Sequence, residues 1–116
     1  MELAAALLLM LQGGGAPGTL NFDVRCLVAT GQLIQSQDQT LRRAGEVASQ
    51  FYFGRIDSRV PDSAIEETIW RETRGMRAEE RAQLLQACGT YMQQRGQRLT
   101  EIGNQISVRE QAGTRH

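Results

Sequence analysis

The side chains that could perform acid–base or nucleophilic chemistry are few in this sequence of 116 residues. The only histidine is His116, the last residue, and there is no lysine. Two carboxylate pairs, Glu66 with Glu67 and Glu79 with Glu80, could act as a general acid and base. Each pair falls in the first turn of a predicted helix, where the helix dipole favours negative charge. We therefore expect no catalytic residue, no metal site, no cofactor and no enzymatic activity.

The densest group of possible binding residues is FYFGRIDSR, residues 51 to 59. Arginine can grip a carboxylate or a phosphate, so one interpretation makes this segment the wall of a binding site. The candidate binding residues are Tyr52, Phe53, Arg55, Asp57, Arg59 and, further along the chain, Trp70. The alternative is a helix end with aromatic packing inside and a charged rim outside. Because successive helical residues lie about 100° apart, we expect Phe51 and Tyr52 to be buried and Phe53 to point elsewhere, against Trp70.

The chain has two cysteines, Cys26 and Cys88. They make a poor zinc site, which needs four ligands, and a redox-active pair normally sits two residues apart. In an oxidising compartment we expect them to form a disulfide. Closing a loop of roughly 63 residues stabilises the fold by about 4 kcal/mol on the chain-entropy estimate. This is a large share of the ~5 to 15 kcal/mol net stability of a small domain.

The amino terminus differs in character from the rest of the chain. LAAALLLML, residues 3 to 11, is an unbroken apolar run, and small or turn-forming residues follow it in QGGGAPGT. This pattern is typical of a secretory signal peptide, although no positive residue precedes the run. We expect a signal peptide over residues 1–18, cleaved after Gly18, and a periplasmic or secreted protein. The alternative is an amphipathic or buried amino-terminal helix. The run is about half of the ~20 residues that cross a bilayer, so we expect no integral membrane span.

Composition and periodicity together indicate an all-α fold. Aromatic residues make up 5% of the chain, there are two prolines, and 13 acidic residues balance 13 basic ones. This balance provides no basic face for nucleic acid. Apolar residues recur at spacings of three and four, which is typical of one helical face. We predict four helices, over about 22–35, 38–57, 63–75 and 77–110, with Asn21 or Asp23 capping the first and a Ser63–Glu66 capping box opening the third.

These helices are expected to form one domain, residues 19–110, followed by a disordered tail over residues 111–116. The predicted architecture is a small four-helix bundle. Cys26 lies in the first predicted helix and Cys88 in the fourth. The disulfide would therefore tie helix 1 to helix 4.

The fourth predicted helix repeats in sevens. Seven of its positions form a seam with alternating spacings of three and four, which is typical of left-handed helix packing. All are apolar except Arg95, and they are Leu85, Cys88, Met92, Arg95, Leu99, Ile102 and Ile106. Gly89, Gly96 and Gly103 share the period and line one flank of this seam. Each glycine costs a helix about 1 kcal/mol relative to alanine. We interpret them as a groove in which a partner helix docks closely.

The expected partners of that groove carry small residues, namely Gly31, Ala44, Gly45 and Ala48. The alternative is that Gly96 or Gly103 ends the helix in a left-handed cap. The strict period favours the groove, because caps need not repeat.

Three segments of the chain are DVRCLVATGQL, FYFGRIDSR and LLQACGTYMQQRGQRLTEIG. Together they resemble a group of uncharacterised small exported helical proteins of alphaproteobacteria, of the sphingomonad type. The resemblance covers nearly all of the chain after the leader, and no established activity comes with it. The positions of Cys26 and Cys88 are also similar to those in HdeA-type periplasmic acid-stress chaperones. The aromatic–glycine segment between the cysteines is similar to small immunity proteins that neutralise secreted effectors.

We therefore expect a non-enzymatic periplasmic binding or chaperone-like protein that acts through an apolar face. Its partner would be another protein or a second copy of the chain. The alternatives are a structural or envelope-associated protein that self-assembles through the glycine-flanked seam, and an effector-immunity protein.

Overall fold

The computed structural model describes residues 15–114 and confirms the all-α fold, with four α-helices and no strand in that part of the chain. Helix α1 spans Leu20–Gly31 and continues into a 3-10 turn, Gln32–Gln35. Helices α2, α3 and α4 span Gln39–Asp57, Asp62–Gly75 and Ala78–Thr114. The predicted signal peptide lies outside the described residues apart from residues 15–18, which form a turn before α1. His116 also lies outside them.

The helices begin at residues that the sequence placed only approximately. Thr19 caps α1, because its hydroxyl accepts a hydrogen bond from the Phe22 amide. The expected caps Asn21 and Asp23 are wrong, since both residues already lie inside the helix. Asp38 caps α2 and accepts from two backbone amides.

Helix α3 begins one residue earlier than expected. It follows Pro61 directly, and no side chain caps its first turn. The predicted capping box of Ser63 with Glu66 is therefore wrong. Proline at this boundary is sufficient to define the start, because its fixed φ suits the beginning of a helix.

Helix α1 is the central element of the fold. It contacts α2 along most of its length and also packs against α3 and α4. The main core cluster is built around it from Phe22, Cys26, Ala29, Tyr52, Met76, Leu84 and Cys88. The apolar spacing of the first predicted helix indicates a buried face made of Phe22, Cys26, Leu27, Ala29, Leu33 and Ile34. Phe22, Cys26 and Ala29 are buried as predicted, Leu27 and Leu33 are partly buried, and Ile34 is exposed.

Helix α4 is continuous over 37 residues through Gly96 and Gly103, so the alternative of a glycine cap is wrong. At 1.5 Å per residue it is about 55 Å long, and it includes residues 111–114, which we had expected to be disordered. From residue 93 to residue 114 only Ile102 is even partly buried. The radius of gyration, 17.3 Å, exceeds the ~13 Å typical of a compact 100-residue domain because this half of α4 projects from the core.

The glycines with close neighbours are not those of α4. A Cβ added at Gly89, Gly96 or Gly103 would meet no atom of the described chain within 4 Å. The expected docking of these glycines on a helix of the same chain is therefore wrong. The close approach occurs at Gly45 in α2, where an added Cβ would lie 2.7 Å from Leu33 Cβ and 2.9 Å from the Thr30 carbonyl oxygen.

Alanine at two glycines of α2 should have opposite effects on stability. Gly45→Ala should lower the free energy of unfolding by about 1 to 3 kcal/mol, because the methyl group would collide with the backbone of the α1 end. The matched control Gly54→Ala, which faces open space in the same helix, should raise it by about 0.5 to 1 kcal/mol. Denaturant unfolding of the oxidised protein measures both. Equal effects of the two substitutions would contradict the close crossing at Gly45.

Candidate functional site

The two cysteines meet at disulfide distance in the core. Cys26 in α1 and Cys88 in α4 are fully buried, and their Cα atoms lie 5.6 Å apart, within the range that a disulfide spans. Tyr52, from α2, donates its hydroxyl to the Cys88 carbonyl oxygen at 2.5 Å. Burial raises the pKa of Tyr52 above its ordinary value, so its hydroxyl stays protonated and remains a donor. Three helices therefore meet at this point.

The arginines of FYFGRIDSR bind a carboxylate of the chain itself. Arg55 donates from Nε to Asp23 Oδ1 at 3.0 Å, and Arg59 donates from Nη2 to Asp23 Oδ2. Both guanidinium groups also donate to the Gly18 carbonyl oxygen, at 3.4 and 3.2 Å. Asp23 is completely buried, and a buried charge needs such partners. The cluster holds the start of α1 against the end of α2.

The aromatic residues of the same segment divide as expected between core and surface. Tyr52 is buried and Phe51 is partly buried, and their two rings are in edge-to-face contact. Tyr91 of α4 joins this group and lies beneath the Arg55 guanidinium, whose Cζ is 5.0 Å from the ring centroid. Phe53 is exposed and points away, which confirms that part of the prediction.

The six candidate binding residues therefore do not form one wall. Tyr52, Arg55 and Arg59 are occupied by contacts within the chain, while Phe53, Asp57 and Trp70 are exposed. The aromatic contacts of residues 15–114 do not pair Phe53 with Trp70. The geometry favours the alternative, in which the segment is a helix end with a packed inner side and a charged rim.

A second ionic cluster joins three helices and was missed from the sequence. Arg25 of α1 lies 3.4 Å from Glu72 of α3 and 2.9 Å from Glu80 of α4. Glu80 also accepts a hydrogen bond from Arg77. That bond, with the nearby Arg25, lowers the pKa of the Glu80 carboxyl. In the sequence, the only sign of this cluster is the Glu79–Glu80 pair, which the helix dipole alone is sufficient to explain.

An open apolar groove of about 880 Å³ lies between α2 and α4. Its apolar walls are Leu33, Ala44, Val47, Ala48, Leu85 and Met92. Gly89 also lines the groove, and Arg43 is the one charged residue among its lining residues. We refer to it below as the apolar groove. Because no acidic side chain of residues 15–114 lines it, the groove combines an apolar floor with a positive edge.

The apolar groove continues along α4 onto its projecting half. Leu85, Gly89 and Met92 in the groove are followed, at the same spacings of four and three, by Gly96, Leu99, Gly103 and Ile106. We call these last four residues the exposed stripe. Leu99 is 70% exposed and Ile106 50% exposed, although both belong to the predicted seam. The groove and the stripe form one apolar face, which the described residues leave uncovered.

Within residues 15–114, no group of three or more histidine, cysteine or acidic side chains comes together in a way that could hold a metal ion. None of the helices in this part of the chain is long and apolar enough to cross a membrane.

Removal of the Asp23 charge should destabilise the fold strongly, because two arginines would lose their counter-ion. Asp23→Asn keeps the side-chain shape but removes the charge that Arg55 and Arg59 bind, so we expect a loss of about 3 kcal/mol in the free energy of unfolding. The control Asp57→Asn, on the exposed side of the same helix end, should change it by less than about 0.5 kcal/mol. Chemical denaturation at neutral pH measures both variants. Similar changes in the free energy of unfolding for the two variants would show that the Asp23 cluster does not stabilise the fold.

Comparison of this chain with protein-family models, with curated proteins and with solved structures found no match.

Proposed function

We propose that this protein is a non-enzymatic, exported helical protein that binds other protein segments, in the manner of a chaperone-like protein, through the apolar groove and the exposed stripe. Helices α1 to α3 and the first half of α4 act as a small bundle that presents the rest of α4. Its ligand is a protein segment rather than a cofactor or a nucleic acid.

The uncovered apolar face is the single observation that carries this proposal. Large apolar side chains on a helix normally pack against the rest of the protein. Here Leu99 and Ile106 lie in solvent on the same face as an open groove of about 880 Å³. The apolar groove and the exposed stripe together are suited to an amphipathic segment, which would pack its apolar side against them.

The occupation of the reactive side chains supports a non-enzymatic role. Tyr52, Asp23 and Glu80 each have partners within the chain that tie helices together. The arginines of FYFGRIDSR are similarly engaged with Asp23. Of the four glutamates considered above as a general acid or base, Glu80 has such structural partners, whereas Glu66, Glu67 and Glu79 are exposed to solvent.

Export is supported by the cysteine pair, because disulfides persist mainly in oxidising compartments. The exact processing point bears on the fold. Cleavage after Gly18 would remove a carbonyl group that Arg55 and Arg59 both bind. The new α-amino group would then face two guanidinium groups, so these contacts favour a cleavage point nearer to the apolar run.

The binding face can be tested by charge substitution on α4. We expect the oxidised protein to suppress the heat-induced aggregation of citrate synthase, followed by light scattering. Leu99→Glu and Ile106→Glu should abolish the suppression, because each places a charge in the exposed stripe. The matched control is Val108→Glu, which alters an exposed apolar residue on another side of α4 and should have no effect. All three sites are exposed, so the fold should tolerate these changes. Suppression that is absent, or equally sensitive to all three substitutions, would contradict the proposed face.

Export and pairing can be tested on protein recovered from its natural location. Intact mass spectrometry should give a chain shortened at its amino terminus, and thiol titration under denaturing conditions should find no free sulfhydryl. Reduction should then release two thiols and lower the free energy of unfolding by about 4 kcal/mol, because the loop between Cys26 and Cys88 is no longer closed. A full-length chain with two reactive thiols would contradict export.

A further inference from the structure

The projecting half of α4 carries features that a solvated helix does not need. It extends for about 33 Å beyond residue 92, with glycine at positions 96 and 103 in open space. Each glycine weakens a solvated helix by about 1 kcal/mol relative to alanine. Glycine is useful in a helix where another backbone must come close. Since no helix of residues 15–114 approaches these glycines, this face of α4 is open to a further backbone.

We propose that this backbone belongs to a second copy of the chain, and that two α4 helices pack antiparallel about a two-fold axis between residues 97 and 98. This inference rests on the proposed binding face, because it assigns that face a specific occupant. The end of each α4 enters the apolar groove of the other copy. The dimer is therefore isologous, with the same surface used on both sides.

The order of side chains along the face is complementary to itself in reverse. With the axis between residues 97 and 98, Leu99 packs on the partner's Gly96. Met92 then lies opposite the partner's Gly103, and Ile106 lies opposite the partner's Gly89. Large side chains meet glycines, at the spacings of three and four that left-handed helix pairs use. The seven-residue glycine period is thereby explained by a function rather than by helix formation.

Charge selects the antiparallel arrangement over the parallel one. The next pair along the face places Glu110 opposite the partner's Leu85, which lines the apolar groove together with Arg43. Within residues 15–114 neither Arg43 nor Glu110 forms an ion pair. The carboxylate would thus meet the one charged residue of the groove lining. A parallel pair would instead place Glu110 beside its own copy, which is unfavourable.

The available area agrees with a moderate rather than a very tight dimer. Two helices in contact over about 40 Å, each about 10 Å wide, bury about 800 Å² in total. Stable specific interfaces bury about 1,200 Å² or more. The walls of the apolar groove, contributed by α2, are therefore needed to complete the interface, which is consistent with the helix end lying in the groove.

A charge-exchange experiment tests the occupant and the orientation. Sedimentation equilibrium of the oxidised full chain should show a concentration-dependent monomer–dimer equilibrium. Arg43→Glu and Glu110→Arg should each weaken the dimer about tenfold, because each change creates two like-charge contacts. The double variant should restore the wild-type dissociation constant to within about threefold. Because both substitutions are carried by the same chain, restoration of the dissociation constant identifies a second copy of that chain as the partner. The controls Arg42→Glu and Glu101→Arg lie outside the contact and should leave the dissociation constant unchanged.

Alanine at the glycines provides an independent measurement. Gly96→Ala and Gly103→Ala should raise the unfolding temperature of the diluted monomer, since both positions are open. The same substitutions should weaken the dimer about tenfold or more, because methyl groups separate the helices. Gly54→Ala should stabilise the monomer similarly without affecting dimerisation.

Two results would overturn the dimer. One is a chain that remains monomeric at its highest soluble concentration, and the other is a dimer that the double charge exchange does not restore. If the monomer still protects citrate synthase in a manner that depends on Leu99, the inference fails and the proposed binding function stands. If the dimer forms but citrate synthase is not protected, the dimer stands and the proposed binding of other protein segments fails.

Discussion

Cys26 and Cys88 meet at the centre of the core, and the arrangement of the other elements follows from that meeting. The pair brings the middle of α1 to the first third of α4, while the Tyr52 hydroxyl attaches α2 to the same point through the Cys88 carbonyl. A domain of this size buries only about 60 to 70% of the surface of its unfolded chain. A covalent link that closes a long loop is therefore a substantial part of its stability.

The two ionic clusters share one design, in which a central charge on α1 binds opposite charges on other helices. Asp23 is fully buried and binds two arginines of α2, and Arg25 binds acidic residues of α3 and α4. These clusters lie two residues apart on α1, so they face different neighbours. Loss of the central charge in either cluster leaves two like charges without that counter-ion. Such clusters therefore define one arrangement of helices even where their net contribution to stability is small.

Because the disulfide holds α4 near its amino-terminal end, most of the helix has no core to pack against. The apolar period continues past Met92 without interruption, yet the side chains that follow are exposed. The same repeat therefore serves the fold in its first half and is available to another molecule in its second half. The glycines mark that division, since within the described chain they touch nothing.

Periodicity and residue type were sufficient to determine the all-α class, the existence of four helices, the buried side of α1 and the pairing of the two cysteines at disulfide distance. These are local or combinatorial properties, since a spacing of three and four defines a helical face and two cysteines allow one pair. The tertiary structure alone decided which chain elements meet those faces. It placed the close crossing at Gly45 rather than at the glycines of α4, and it directed Arg55 and Arg59 to Asp23 rather than to a ligand. The physical reason is that a repeat in sequence specifies which side of a helix is apolar, whereas the position where that helix leaves the core depends on contacts between residues far apart in the chain.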